Sequence, residues 1–190
     1  MKFVLQKYPD IFSSWLEINQ FYGMERAFFI GLGSNLGDRH AYLDQALDRL
    51  TSRWGVSPKL SSRYETPPWK MDSDSPKFIN QVARFDVDLD PEKAMLDLQS
   101  IEMELGRVRS SLEGYQSRTI DLDLLAIEGI QLSSAQLTIP HPQIANRRFV
   151  LEPFAELAPN FKIHLDGSTV ADLLRNCPDT TILNRLNLEH

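Results

Sequence analysis

Apolar positions along the chain follow two spacings, and each spacing predicts a different element. The apolar run over 27–33 ends at a polar turn containing glycine, which is typical of a buried strand. Over 39–53 apolar residues recur every three or four positions behind Asp38, which predicts a helix with an N-cap. The patterns over 56–64 and 78–87 predict two further strands.

The following segment adds one helix and one strand. Apolar residues at helical spacing follow Asp90 and Pro91, which predicts a helix with Pro in its first turn. Residues 119–127 read TIDLDLLAI, which is typical of a short central strand. The resulting order, βαββαβ, predicts an α+β fold of ferredoxin-like sandwich type, with extra C-terminal helices near 147–157 and 169–175.

Composition and charge limit what the protein can be. At 190 residues, with 42% hydrophobic and 24% charged residues, the chain predicts one globular domain. A net charge of −6 argues against nucleic acid and anionic membranes as partners, so phosphate binding would need a local cluster of cations. Cys177 is the lone cysteine, and no apolar run is long enough to span a membrane; we therefore expect a cytoplasmic protein.

Two carboxylates in the strand predicted over 119–127 are the first candidate for chemistry. Side chains at i and i+2 lie on one face of a strand, so Asp121 and Asp123 project together, and we expect Leu125 and Ile127 to continue that face as an apolar surface. Like charges this close need cations, and Mg²⁺ takes one or two carboxylates together with phosphate oxygens. A solvated pair on an edge strand is the alternative.

The cations near these carboxylates are of one type. Between Lys93 and Lys162 every Lys or Arg position is an arginine. The planar guanidinium binds phosphate oxygens in pairs and keeps its proton, which favours recognition of a polyphosphate. Ordinary surface charges are the alternative. The arginines are Arg107, Arg109, Arg118, Arg147 and Arg148.

Four other features are candidates for ligand contacts. The loop over 66–69, TPPW, is stiff and ends in an aromatic ring, and Asn80 could donate to and accept from the edge of a heterocycle. Phe149 could stack on a flat ring. His141 lies between two prolines and could donate to a phosphate oxygen. For each of them a purely structural role is the alternative.

Two familiar sequence signatures of nucleotide binding are missing. The chain has no phosphate-binding loop of the form GxxxxGK followed by Ser or Thr. The glycines over 31–37 are spaced one residue too widely for the dinucleotide-binding fingerprint. We interpret 31–37 as a turn whose glycines let the backbone approach another group, with a plain structural turn as the alternative.

Six segments, in chain order, carry a resemblance to a known family: FIGLGSNLGD, YETPPW, FINQV, IEMELGRVR, SRTIDLDLL and LTIPHPQIANRRFVLEPF. Together they resemble the 6-hydroxymethyl-7,8-dihydropterin pyrophosphokinases over about residues 27–159. The resemblance implies a ferredoxin-like core and the transfer of pyrophosphate from ATP to the hydroxymethyl group of 6-hydroxymethyl-7,8-dihydropterin, which releases AMP in folate biosynthesis. It also implies two Mg²⁺ ions as cofactors, with ATP as co-substrate.

The resemblance implies roles for individual residues. The metal ligands are Asp121 and Asp123. The catalytic residues are Arg107, Arg109, Arg118 and His141. The positions that match the ATP site are Gln99, Glu102, Arg109, Tyr115, Arg118, Leu124, Thr138, His141 and Arg147. The positions that match the pterin pocket are Gly33, Thr66, Pro67, Trp69, Phe78, Asn80 and Phe149.

The segments at the two ends of the chain fall outside this resemblance. We expect residues 25–187 to form the pyrophosphokinase domain and residues 188–190 to be the remnant of a purification tag. Residues 1–24 are an N-terminal extension rich in aromatic residues, which we expect to pack on the domain or on a neighbouring chain. The protein would then be a monomer, or a dimer through this extension.

A ferredoxin-like binding module is the alternative function, with RNA or a small regulatory molecule as its ligand. Acidic net charge and the lack of an aromatic RNA-binding signature argue against RNA. A catalytically inactive relative that still binds ligand is the other form of this alternative, although the carboxylates, the arginines and His141 are all present.

Overall fold

The computed structural model describes residues 23–71, 74–107, 116–163 and 166–187. Its strands are β1 (Arg26–Ser34), β2 (Lys59–Leu60), β3 (Arg63–Thr66), β4 (Phe78–Val87), β5 (Asp121–Ile127), β6 (Leu132–Ser133), β7 (Thr138–Ile139) and β8 (Asn184–Leu186). Its helices are α1 (Arg39–Trp54), α2 (Pro91–Glu104), α3 (Arg148–Leu157) and α4 (Val170–Arg175), with a 3-10 turn over Ile144–Asn146. Two expectations from the sequence fall on segments that lie almost wholly outside the described residues. They are the packing of residues 1–24 and the tag remnant over 188–190.

The core of the molecule is an antiparallel sheet in the order β5-β1-β4-β3-β8. Strand β3 pairs with the first residues of β4, and β2 pairs with its C-terminal half. Strand β1 is hydrogen-bonded on both sides, to β4 and to β5. The strands predicted over 27–33 and 78–87 are confirmed, whereas the segment 56–64 forms two short strands, β2 and β3. The fold is therefore a mixed α/β arrangement built on an antiparallel sheet.

The two long helices begin where the sequence predicts, directly after Asp38 and Asp90. The carboxylate of Asp38 accepts the N–H of Ala41 at 3.0 Å at the start of α1, and Gly55 ends this helix in a left-handed conformation. Asp90 caps α2 in the same way by accepting the N–H of Lys93 at 2.9 Å. The two aspartates thus satisfy backbone N–H groups at the starts of both helices.

Helices cover both faces of the sheet. On one face α1 and α2 pack against Phe28 and Ile30, and on the other α3 and α4 pack against Phe29. The predicted C-terminal helices thus form a third layer over the sheet. Within the described residues, no helix has the length and apolar character needed to cross a membrane.

A bulge in β5 corrects two predictions made for this strand. The register shift opposite Phe29 leaves Leu125 without a partner on β1, so Leu125 and Ala126 both face α3, and Ile127 faces the opposite core. The predicted continuation of the Asp121 face through Ile127 is therefore wrong beyond Leu125. Strand β5 also lies at the edge of the sheet and not at its centre.

Strand β5 is apolar although it lies at an edge, because both of its faces are covered. Helix α2 packs on one face of the strand, and the apolar core under α3 and α4, here called the second core, packs on the other. The backbone N–H of His141 donates to the carbonyl of Leu125 at 2.8 Å and brings the following segment alongside the strand. Burial on both faces, and not a central position, explains the apolar run.

Helix α3 is joined to the sheet at its C-terminal end by a polar contact between Glu156 and the segment of β3. Glu156 accepts hydrogen bonds from the hydroxyl of Tyr64 and from the backbone N–H of Ser62 at 2.6 Å. Burial and the neighbouring carboxylate raise the pKa of Tyr64, so the phenol stays protonated and donates at neutral pH. The helix therefore holds its first turn, which contains Phe149, at a fixed place over the sheet.

The second core is expected to depend on Phe154, which is fully buried and lies 4.4 Å from the ring of Phe29 between centroids. Phe154→Ala should lower the free energy of unfolding by about 3–5 kcal/mol, since it leaves a cavity between α3 and the sheet. Urea denaturation measures this loss. Leu96→Ala, at an exposed position on α2, is the control, and an equal loss in both variants would contradict the assignment of Phe154 to this core.

Candidate active site

A pocket opens on the α3 face of the sheet where β1 carries two glycines. Gly31 lies opposite Asp123 on β5, and Gly33 lies between Asp121 on β5 and Asn80 on β4. A Cβ atom at Gly33 would approach the Asn80 Oδ1 to 3.0 Å. The glycines therefore keep the floor of the pocket open.

This placement corrects the interpretation of 31–37 as one turn. Gly31 and Gly33 belong to strand β1, and only Gly37, with φ of 63°, adopts the left-handed turn conformation. The close approach expected from the glycines occurs in the strand, where their missing side chains leave room beside the two carboxylates.

The walls of the pocket are aromatic and polar, and its empty space, partly open to solvent, is about 600 Å³. On one side the Asn80 Nδ2 donates to the Thr66 Oγ1 at 2.8 Å, and on the other the rings of Trp69 and Phe149 meet edge to face at 5.9 Å. The structure brings together the whole set predicted for the pterin pocket: Gly33, Thr66, Pro67, Trp69, Phe78, Asn80 and Phe149.

The two carboxylates line the same pocket and are paired with arginines from three segments. Asp121 contacts Arg107 at 2.6 Å and Arg118 at 3.0 Å, and Asp123 contacts Arg147 at 2.8 Å. Burial, and secondarily the charge of Asp123, raise the pKa of the Asp121 carboxyl, and the arginines only partly oppose this. The predicted cluster of carboxylates and arginines therefore exists for Arg107, Arg118 and Arg147. Arg148 instead pairs with Glu152 at 3.1 Å along α3, as an ordinary surface charge would, and Arg109 lies outside the described residues.

Two of these arginines also contact the aromatic walls. The guanidinium of Arg118 lies 5.7 Å from the ring centre of Phe78, and that of Arg147 lies 5.1 Å from the ring centre of Trp69. Such contacts join a cation to the face of a ring. Arg118 and Arg147 thus contact both the carboxylates and the aromatic rings, so the ionic and aromatic halves of the site form one continuous pocket.

Glu102 lies behind the carboxylate pair and does not line the pocket. Its carboxylate is 2% exposed, accepts the backbone N–H of Leu122 at 2.8 Å and pairs with the guanidinium of Arg107. A buried charge needs such partners. Glu102 therefore links α2, β5 and Arg107, a contribution that helical spacing alone did not reveal.

Other positions assigned to the ATP site lie away from the pocket. Leu124 is buried in the core that faces α2, Thr138 is exposed on β7, and Gln99 is half-buried on α2. Tyr115 lies outside the described residues. Of the positions predicted for ATP, Arg118 and Arg147 line the pocket.

His141 is held beside the carboxylates in a defined protonation state. Its Nδ1 accepts the backbone N–H of Gln143 at 3.1 Å, so the neutral ring carries its proton on Nε2. Burial lowers the pKa of His141 against the opposing effect of Asp123. At neutral pH the imidazole is therefore an uncharged hydrogen-bond donor.

The carboxylate pair suits a metal that a substrate helps to bind. In the part of the chain that the structure describes, no group of three or more His, Cys, Asp or Glu side chains could enclose a metal ion. Mg²⁺ needs only one or two carboxylates when water and phosphate oxygens supply its other ligands. Asp121 and Asp123, on one face of a strand and beside an open pocket, fit that requirement.

The pocket also contains residues that the sequence did not single out. Met71 lines it from the loop after Trp69, and Val150 lines it from the first turn of α3. No motif marks these apolar positions, because their contribution depends on how the loop and the helix fold over the sheet. Asn35, which follows β1, was likewise missed as an individual residue.

Comparison with known proteins identifies relatives along most of the chain. Residues 29–159 match the model of the family described as 7,8-dihydro-6-hydroxymethylpterin-pyrophosphokinase (HPPK). The 2-amino-4-hydroxy-6-hydroxymethyldihydropteridine pyrophosphokinase of Methylorubrum extorquens is 42% identical over 152 residues, which cover 80% of this chain and 92% of that protein. The protein of the same name from Porphyromonas gingivalis is 42% identical over 133 residues, 69% of this chain and 90% of that protein.

Solved structures share the fold at low sequence identity. A crystal structure of an HPPK-DHPS in complex with substrates gives a TM-score of 0.61 at 12% identity and covers 81% of this chain. The wild-type HPPK-DHPS of Plasmodium falciparum gives 0.57 at 12% identity and covers 80% of this chain. This chain spans 43% and 41% of those two chains, respectively.

The raised pKa of Asp121 predicts the direction of a pH effect. The pKa of this carboxyl is higher in the folded than in the unfolded protein. Its ionisation therefore lowers the free energy of unfolding as pH rises from the unfolded-state pKa to the raised folded-state pKa. Asp121→Asn keeps the shape and removes the charge, so the metal-free variant should unfold at higher urea than the wild type at pH 7. The gain should vanish below the ordinary carboxyl pKa of 3.8, where both folded and unfolded states are protonated.

Urea denaturation in the presence of a chelator, repeated from pH 3 to pH 7, measures this effect. The exposed Asp48 of α1 provides the matched control, Asp48→Asn. A wild type that is more stable than Asp121→Asn at pH 7 would show that the arginine pairs outweigh burial and repulsion.

Proposed function

Since this chain belongs to the 7,8-dihydro-6-hydroxymethylpterin-pyrophosphokinase family, we propose here which of its side chains carry out the family's reaction. The protein is an ATP-dependent diphosphotransferase that transfers pyrophosphate to hydroxymethyldihydropterin in folate biosynthesis. The observation that carries the residue assignment is the single pocket in which a carboxylate pair and two arginines adjoin an aromatic cleft. ATP and 6-hydroxymethyl-7,8-dihydropterin are its substrates.

The pterin is assigned to the aromatic half of the pocket. Phe78 and Phe149 would enclose the flat bicycle from two sides, and Trp69 would cover its outer edge. The Asn80 amide donates to Thr66 and would form hydrogen bonds with the donors and acceptors on the edge of the pterin ring. The open floor at Gly33 supports this assignment, because a side chain there would occupy the same space.

The phosphates of ATP are assigned to the ionic half. Asp121 and Asp123 would hold two Mg²⁺ ions, which when bound neutralise and orient the phosphate oxygens. Arg107, Arg118 and Arg147 now pair with carboxylates and would turn to phosphate oxygens when the nucleotide arrives. The assignments of Gln99, Glu102, Arg109, Tyr115, Leu124 and Thr138 to the ATP site rest on the family resemblance.

The reaction we propose breaks the bond between the α- and β-phosphates. The pterin hydroxyl attacks the β-phosphorus in line, the bond to the α-phosphate oxygen breaks, and AMP leaves while the hydroxyl proton passes to water or to a carboxylate. Arg118 and Arg147 would stabilise charge on the transferred group, and the His141 Nε2 would donate to an oxygen of the departing phosphate. Positioning and electrostatics supply the catalysis.

Several broader assignments belong to the same proposal. The helices α1 and α2 and the sheet order β5-β1-β4-β3 support a ferredoxin-like classification, with residues 25–187 as the catalytic domain. We also propose a cytoplasmic location, and a monomer or a dimer formed through residues 1–24.

The nucleotide product tests this function directly. The protein mixed with ATP, Mg²⁺ and 6-hydroxymethyl-7,8-dihydropterin should release AMP and form a pterin that carries two phosphates, as measured by chromatography and mass spectrometry. Asp121→Ala and Asp123→Ala should abolish turnover and keep the fold, since the carboxylates hold metal against ATP. ADP with a singly phosphorylated pterin, or near-normal turnover in either variant, would overturn the mechanism.

The two halves of the site should respond separately to substitution. Phe149→Ala and Asn80→Ala should weaken binding of the pterin more than binding of an ATP analogue, with the loss of stacking worth on the order of 1 kcal/mol. Isothermal calorimetry measures both affinities, and Asn146→Ala, at an exposed position outside the pocket, is the control. Equal losses for both ligands would indicate a general packing defect.

A further inference from the structure

Asn35, directly after β1, is only 2% exposed, and its side chain lies between two connecting segments of the chain. Its Nδ2 donates to the carbonyl of Pro76 at 3.1 Å and to the Ser117 Oγ at 2.9 Å. Its Oδ1 accepts the backbone N–H of Arg118 at 2.7 Å, and its own N–H donates to the Arg118 carbonyl at 3.2 Å. Every polar atom of the side chain is therefore used.

These bonds join the two halves of the pocket. Pro76 lies two residues before Phe78, whose ring lines the aromatic half. Arg118 reaches the ionic half, where it pairs with Asp121 at 3.0 Å. Both segments lie outside helices and strands at the points where Asn35 holds them, so neither gains its position from a backbone ladder there.

We propose that Asn35 is a positioning residue that sets the distance between Arg118 and the ring-binding wall. By holding both segments it keeps the Arg118 guanidinium, which would bind phosphate, at a fixed distance from the pterin hydroxyl. This inference rests on the function proposed above. The amide is suited to this because it offers two donors and one acceptor in one plane. Aspartate keeps the acceptor for Arg118 but lacks the donors for Pro76 and Ser117, and alanine has neither.

The two substitutions should therefore have different kinetic effects. Asn35→Asp should raise KM for the pterin about tenfold with a smaller change in kcat, because it frees the segment that leads to Phe78. Asn35→Ala should in addition lower kcat about 100-fold, since an ångström of misplacement of a catalytic group costs about that much. Asn176→Asp and Asn176→Ala, at an exposed position directly after α4 and outside the pocket, are the matched controls.

A double variant separates positioning from general damage to the fold. If Asn35 acts through Arg118, the Asn35→Ala, Arg118→Ala double variant should have the kcat of Arg118→Ala alone, within about twofold. Losses in kcat that multiply, or an Asn35→Ala variant with unchanged kcat and KM, would overturn the proposal. Ser117→Ala deletes one bond only and should give a smaller change in the same direction, which keeps the test usable if Asn35→Ala does not fold.

Hydrogen exchange tests the same contacts without turnover. In Asn35→Ala the amides over 116–118 should exchange at least about tenfold faster than in the wild type, while the amides of β1 and β4 should be unchanged. Unchanged exchange over 116–118 would contradict the proposal even if kcat falls. A wild type that releases no AMP would overturn the proposed function, and the exchange result would still decide whether Asn35 holds Arg118.

Discussion

Two carboxylates on one face of β5 repel each other, and the rest of the site is organised around neutralising them. Three arginines partly offset this repulsion in the structure, and each comes from a different segment: just after α2, just before β5 and just before α3. Burial of the carboxylates costs more than these pairs return, since the pKa of Asp121 stays raised, so the cluster is held by the fold around it. In the function proposed above, the same charges become available to a metal and to phosphates when the substrate enters.

The sheet supplies the space that this chemistry needs. Gly31 and Gly33 on the neighbouring strand leave the carboxylates without side chains beside them, and the bulge after Asp123 turns Leu125 and Ala126 into the core under α3. Glu102 binds the backbone of Leu122 from the opposite face and thereby fixes the strand that carries both aspartates. Positioning of the carboxylates thus depends on contacts from both helical layers.

Sequence patterns predicted the helices and the long strands because their periodicity and caps are local. The motif order also predicted residues that lie together, since all seven residues predicted to bind the pterin line one pocket. The edge position of β5 and its bulge could not be predicted, because burial by distant elements gives the same apolar run as a central strand. The roles of Glu102 and Asn35 were not visible either, since each depends on partners that folding brings from far along the chain.

We propose that the carboxylates exchange their arginines for metal when the nucleotide binds. A crystal structure with α,β-methylene-ATP, the pterin substrate and Mn²⁺ in place of Mg²⁺ tests it most directly, because manganese is located by its anomalous scattering. We expect two manganese ions bound by oxygens of Asp121 and Asp123, with Arg118 and Arg147 moved onto phosphate oxygens. Arginines still paired with both carboxylates, and manganese bound only by phosphate and water, would contradict it.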